Sequence, residues 1–106
     1  MLPAQANPVA NTLTDGYVVP AGKTTVISTI IICNIGDTIA TARVAIALQG
    51  EADNKKQYIV HGLGIPPDNP FSMTYGIMIS AGDVVRVWAD TDDVAFNING
   101  EEVPIV

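Results

Sequence analysis

The residues of this chain that could perform chemistry are few and lie far apart in the sequence. The chain has one histidine, His61, and one cysteine, Cys33, so a nucleophile has only one imidazole that could serve as its base. Hydroxyls are frequent between Thr24 and Thr29, but they follow a strand pattern and lack the glycines of a nucleophile turn. We therefore predict that the chain is not an enzyme, that His61 ends a strand and that Cys33 is a buried structural thiol.

Oxygen-rich and glycine-rich segments give no stronger signal for a cofactor. The segment Asp90–Asp93 offers carboxylates to a hard cation, but it lacks the glycine and terminal glutamate of an EF-hand loop. The segment is better explained as a solvated acidic turn than as a cation site. Gly62 and Gly64 precede two prolines instead of a helix, which argues against a phosphate-binding loop. The sequence thus predicts no metal ion and no cofactor.

Aromatic side chains are the remaining candidates, because β-sandwiches often bind carbohydrate on exposed aromatics. Trp88, Tyr58 and Tyr75 all fall within strand patterns beside aliphatic neighbours. That context favours packing in the core for each of them. Whether they converge on one face is open at this stage.

The charge balance and the hydropathy exclude several classes of partner. Five basic residues, scattered along the chain, face eleven acidic ones, for a formal net charge of −6. Nucleic acid is therefore not an expected partner, since binding to phosphates depends on Lys and Arg. The first residues lack the basic and apolar regions of a signal peptide, and no apolar run is long enough to span a bilayer. We expect synthesis in the cytoplasm without secretion by a signal peptide, and no membrane partner.

The elements that must position these residues are strands. The segment 23–35 follows the turn Pro20–Gly22 and is the longest strand pattern, and Val94–Val103 has the clearest alternation, with Val94, Phe96 and Ile98 inward. Ser80–Asp83 repeats the chemistry of the first turn, which predicts two similar hairpins. The sequence predicts an all-β fold: a single-domain antiparallel β-sandwich, or jelly roll, of seven or eight strands. We divide it into an extended N-terminal arm (1–11), the sandwich (12–103) and an apolar C-terminal tail (104–106).

Two strands have outer faces that suit contact with another surface. Ile30–Cys33 is apolar on both faces, which is typical either of a strand at the centre of a sandwich or of a strand that meets a partner on its outer face. In the strand Ala40–Leu48, alternation places Arg43, Ala45 and Ala47 on an outer face that is small and poor in charge. A plain exposed strand also fits that second pattern.

Two segments, 17–34 and 78–103, resemble a small β-sandwich module of tailed-bacteriophage virions. The matching positions are Val19, Pro20, Ala21, Gly22, Lys23, Ile30 and Asn34 in the first segment, and Ala81, Gly82, Asp83, Val85, Val87, Phe96, Asn97, Gly100 and Glu101 in the second. The resemblance implies a non-enzymatic virion component that is commonly displayed in several copies and often trimeric.

Within that family, a capsid decoration (cement) protein fits a small chain with an arm and an apolar tail. We expect a homotrimer on the phage head that clamps neighbouring copies of the major capsid protein. The alternative is a receptor- or glycan-binding module of a tail fibre or baseplate. The predicted subunit or capsid contacts are Leu2, Pro3, Val9, Ile31, Cys33, Arg43, Ala45, Ala47, Ile105 and Val106.

Overall fold

The computed structural model describes residues 2–68 and 70–104, with side chains for 4–68, 70–74 and 76–104. This part of the chain forms eight strands and two short 3₁₀ turns. The strands are β1 (Leu2–Ala6), β2 (Thr14–Val18), β3 (Lys23–Asn34), β4 (Ala40–Ala47), β5 (Tyr58–Ile65), β6 (Pro70–Ser80), β7 (Val84–Ala89) and β8 (Val94–Pro104). None of the described residues lies in a helix that is long and apolar enough to cross a membrane.

The eight strands form two four-stranded antiparallel sheets. Sheet A has the order β1-β8-β3-β6 and sheet B the order β2-β7-β4-β5. Only β4 and β5 are joined within one sheet, and every other connection crosses from one sheet to the other. This order is that of a jelly roll. The predicted all-β sandwich is confirmed.

The core lies between the inward faces of the two sheets. Val94, Phe96 and Ile98 of β8 are fully buried, as their alternation predicts. The other fully buried core side chains come from the two central strands of each sheet and from β5: Ile27, Ile30 and Ile32 of β3, Ala40, Ala42 and Val44 of β4, Ile65 of β5, and Val85, Val87 and Ala89 of β7. The aliphatic, β-branched composition therefore fills a thin sandwich, and among the described side chains Phe96 is the one aromatic in the buried cluster.

The two similar turns exist, but they do not begin hairpins. The turn at Gly22 (φ +76°) leads from β2 in sheet B to β3 in sheet A, and the turn at Gly82 (φ +89°) leads from β6 in sheet A to β7 in sheet B. They lie side by side, since Val19 N donates to Asp83 O (3.0 Å) and Gly82 N donates to Val19 O (3.1 Å). The hairpin prediction was wrong because matching turn chemistry fixes the bend of the chain and not the pairing of the strands.

A β-bulge changes which side chains of β3 face inward. The register of β3 against β8 shifts between Ile27 and Thr29, so Ser28 is the extra residue. Ile27 and Ile30 both point into the core as a result, although they are three residues apart. Ile31 and Cys33 then lie on the outer face of sheet A and are half-buried. The prediction of a buried Cys33 is corrected accordingly.

The N-terminal segment is an edge strand and not an arm. β1 pairs with β8 from Leu2 opposite Gly100 to Ala6 opposite Phe96, and Ala4 and Ala6 pack against the core. Asn7 then donates to the carbonyls of Asp92 and Val94 at 2.8 Å each. The inward-facing residues of β1 are alanines, which give no clear apolar alternation, so the strand was not predicted from the sequence.

The C-terminal strand β8 ends at residue 104. The predicted tail contacts Ile105 and Val106 lie outside the described residues.

Tyr17 links the two sheets. It belongs to β2 in sheet B, and its hydroxyl donates to Glu102 Oε2 of β8 (2.6 Å) and lies 2.7 Å from Thr25 Oγ1 of β3, both in sheet A. Burial, together with the hydrogen bond to Glu102, raises the pKa of Tyr17 above its usual value. The phenol therefore stays neutral and holds the sandwich closed at this position.

Candidate functional site

The outer face of sheet B carries a row of ring-bearing and cationic side chains. Arg43 of β4 has Trp88 of β7 as its direct neighbour on one side and His61 of β5 on the other. Because Val87 and Ala89 point into the core, Trp88 between them points outward and is half-buried. Tyr58 is also half-buried on this face, and His61 is exposed. The prediction of core packing was wrong for Trp88 and Tyr58, and the side chain of Tyr75 lies outside the described set.

Arg43 is positioned by stacking. Its Cζ atom lies 4.0 Å from the centroid of the Trp88 ring, which is a cation–π geometry. Its Nε atom is buried and has no hydrogen-bond partner among the described residues. The indole therefore holds the guanidinium in place, while one of its donors is left without an acceptor.

A loop from the β4–β5 connection forms the rim of this face. Arg86 of β7 fixes the loop by donating from Nη1 to Glu51 O (2.6 Å) and from Nη2 to Gly50 O (3.2 Å), and its Nε pairs with Asp15 at 3.1 Å. Arg86 is the direct neighbour of Ala45 across the strand pair. Ala45 and Ala47 are fully buried, which corrects their prediction as interface residues, because the chain's own loop and Arg86 cover this end of β4.

Between that rim and β4 lies a shallow concavity of about 470 Å³, which we call the β4–β5 depression. Its lining residues are Arg43, Asp53, Asn54, Lys55, Tyr58 and His61. The Tyr58 hydroxyl donates to Asp53 Oδ1 (2.8 Å), and the rings of Tyr58 and His61 meet edge to face at 5.2 Å between centroids. Burial, and next the hydrogen bond to Asp53, raises the pKa of Tyr58, so the phenol stays neutral and donating at physiological pH.

The remaining predicted contacts do not share one surface. Ile31 and Cys33 lie on the outer face of sheet A, whereas Arg43 lies on that of sheet B. Leu2 and Pro3 form backbone pairs with Gly100 and Asn99.

Val9 is 67% exposed in the β1–β2 connection, at the same end of the sandwich as Ile35 (65%) and Ile39 (68%). We call this group of Val9, Ile35 and Ile39 the apolar loop end. Three aliphatic side chains on two connections, β1–β2 and β3–β4, are thus exposed to solvent.

The acidic turn Asp90–Asp93 also lies at this end and ties neighbouring loops together. Asp90 Oδ1 accepts from Thr41 N at 2.8 Å, and Asp92 Oδ1 accepts from Ala10 N at 2.6 Å. Within residues 2–68 and 70–104, no group of three or more histidine, cysteine or acidic side chains is arranged to hold a metal ion. These carboxylates hold the β1–β2 connection and the start of β4.

The chain matches no protein-family model, no curated protein and no solved structure. The resemblance to virion modules therefore stays a prediction from the residues quoted above. Function has to be argued from the depression, the apolar loop end and the outer faces of the sheets.

Proposed function

We propose that this chain is a non-enzymatic structural protein of a tailed-bacteriophage virion, and that it decorates the outside of the head, where it clamps neighbouring copies of the major capsid protein. Support comes first from the resembling segments. Their two turns are far apart in sequence, yet Val19 of one turn exchanges backbone hydrogen bonds with Asp83 and Gly82 of the other. The two turns thus form one structural unit at one end of the sandwich.

The observation that carries the docking part of the proposal is the apolar loop end. Val9, Ile35 and Ile39 are each about two-thirds exposed on connections that the β7–β8 turn ties together, since Ile35 N donates to Asp93 O (2.8 Å) and Ala10 N to Asp92 Oδ1. Contiguous patches of exposed apolar side chains mark protein–protein contact sites, and we propose that Val9, Ile35 and Ile39 form such a patch. We assign this end to the capsid, in place of the arm predicted from sequence.

Self-association completes the proposed mechanism. The outer face of sheet A carries Ile31 and Cys33 beside Ala95, which is the cross-strand neighbour of Cys33. This small apolar patch is the remaining candidate for a homotrimer contact. Repetition of one weak contact across a symmetric shell multiplies its effect. Sedimentation equilibrium of the purified chain tests the trimer, and a monomer at every concentration would exclude that part of the mechanism.

The experiment that tests location is gold labelling of intact virions with an antibody to the folded chain. We expect label over the head lattice. Label confined to the tail favours the second candidate function described below. If purified particles carry no label at all, both candidate functions are refuted.

A matched pair of variants tests docking. Ile39→Asp lies at the apolar loop end, whereas Leu48→Asp lies at the other end of β4 and is similarly exposed at 55%. We expect Ile39→Asp to abolish co-sedimentation with capsids stripped of the protein and Leu48→Asp to retain it. Equal retention by both variants would exclude the apolar loop end.

A second candidate is a receptor- or glycan-binding module of a tail fibre or baseplate. The observation that favours it is the grouping of Trp88, Tyr58 and His61 on one outer face beside Arg43. Aromatic residues with a polar edge are enriched at recognition surfaces. The two candidates differ in where the chain sits in the particle, which the labelling experiment decides.

A further inference from the structure

The β4–β5 depression is lined by several hydrogen-bond donors, two of which are cationic. Arg43 and Lys55 are two of only five basic residues, His61 is the only histidine, and all three line the same concavity. The net charge of −6 would keep anions away from the protein as a whole. A cluster of donors against that background points to a negatively charged ligand.

Arg43 is prepared for such a ligand. Stacking on Trp88 fixes the plane of the guanidinium, and because Nε is buried, the terminal nitrogens are the ones that face the depression. The ion pairs formed elsewhere in the described part of the chain, Lys56 with Glu51 and Arg86 with Asp15, do not involve Arg43. The terminal nitrogens of a planar guanidinium match a carboxylate through two parallel hydrogen bonds.

The acidic side chain in the same depression limits the kind of anion. Asp53 uses Oδ1 to accept from Tyr58 and is exposed at the rim. It would repel a phosphate dianion or a peptide with several carboxylates, but it can accept hydrogen bonds from hydroxyls. A ligand with one carboxylate next to several hydroxyls satisfies both sides of the depression.

Ring stacking completes the match. Tyr58 and His61 meet edge to face, both line the depression, and His61 is exposed, so the apolar C–H face of a sugar can pack against this pair. We propose that the β4–β5 depression binds a carboxylate-bearing sugar residue, with Arg43 and Lys55 on the carboxylate, Asp53 on the hydroxyls and the Tyr58–His61 pair under the ring. The inference deepens the second candidate above and does not depend on decoration of a capsid.

The test is an NMR titration of the ¹⁵N-labelled full chain with methyl galacturonoside and with sialyllactose, each of which carries one carboxylate and which separate a uronic acid from a sialic acid as its source. The methyl ester of the galacturonoside and lactose are the neutral controls. We expect chemical-shift changes in residues 53–61 and in the Trp88 indole N–H. Affinity for the neutral sugars should be at least about tenfold lower than for the acidic sugars, because the neutral sugars lack one charged hydrogen bond.

Variants assign the contacts. Arg43→Gln should reduce affinity for the acidic sugar about tenfold or more, and His61→Ala, an exposed edge-strand change, should also weaken it. Lys23→Gln removes a basic residue from sheet A and should leave affinity unchanged. Dispersed spectra of each variant establish that it is folded.

Equal binding of neutral and acidic sugars would overturn the proposal, as would an acidic peptide or inorganic phosphate that produces the same shifts more tightly. So would the absence of shifts at millimolar sugar. Because the titration uses the isolated chain, it can fail while the particle location is upheld, and the reverse also holds.

Discussion

Tyr17→Phe should lower the folding stability of the sandwich, because the Tyr17 hydroxyl joins three strands that belong to two sheets. The substitution removes the hydrogen bond to Glu102 Oε2 (2.6 Å) and the contact with Thr25 Oγ1 (2.7 Å). A hydrogen bond to a charged group contributes about 1.5–3 kcal/mol and a neutral one about 0.5–1.5 kcal/mol. Because Glu102 is only half-buried, water can replace the lost hydrogen bond, so the lower end of each energy range applies. We expect a loss of about 2 kcal/mol and a fall in Tm of roughly 8 °C or more.

The assay is urea unfolding followed by fluorescence of Trp88, the only tryptophan, and by circular dichroism. The midpoint should fall with an unchanged slope. Tyr58→Phe is the matched control, since it removes a hydrogen bond to the exposed Asp53 and should cost less than about 1 kcal/mol. A Tyr17→Phe variant that is no less stable than Tyr58→Phe would refute the role of Tyr17 as a link between sheets.

Alkaline pH supplies a further check on the same residue. The folded-state pKa of Tyr17 is raised, so its contribution to stability is fully present below about pH 10 and is lost as the pH rises through the folded pKa. The stability difference between the native chain and Tyr17→Phe should therefore shrink above pH 10. A difference that stays constant or grows there would contradict the assigned cause.

Three other substitutions test the supports of the fold and of the depression. Asn34→Asp replaces the donor to Thr38 O and Ile65 O with an acceptor, and thermal unfolding should show a loss of about 2–4 kcal/mol. Gly100→Ala drives a Cβ into the Val26 carbonyl and should cost about 3 kcal/mol or more, whereas Gly76→Ala, with open space around its Cβ, should stay within about 0.5 kcal/mol. Arg86→Lys should raise amide exchange in residues 51–57 and weaken acidic-sugar binding while the core stays protected; unchanged exchange would exclude Arg86 as the anchor of the rim.

The inward face of a strand whose own alternation is uninterrupted could be predicted from the sequence, and that of the strand with the bulge at Ser28 could not. In β8 the alternation of Val94, Phe96 and Ile98 against polar residues continues without interruption, and all three are buried. In β3 the extra residue Ser28 reverses the faces half-way along, because a bulge depends on the register of both strands. Single-chain periodicity contains no information on that register.

The candidate site escaped prediction because its parts come from three separate segments. Arg43, Trp88 and His61 become neighbours only when β4 pairs with β7 and β5, and Asp53 joins them through a loop held by Arg86. One signal was present in the sequence: Arg43 interrupts a run of alanines and valine in β4. A cation with no charged neighbour in its strand needs an aromatic or anionic partner from elsewhere.

The jelly-roll order also determines how the two proposed surfaces relate to one another. β4 runs from Ala40, next to the apolar loop end, to Ala47, next to the loop that forms the rim of the depression. Ile39 and Asp53 therefore belong to opposite ends of the same strand pair. If one molecule docks on the capsid through Ile39, the rim of its depression is directed away from the capsid surface. Attachment and sugar binding can then occur on one molecule, and variants at one end should leave the function of the other intact.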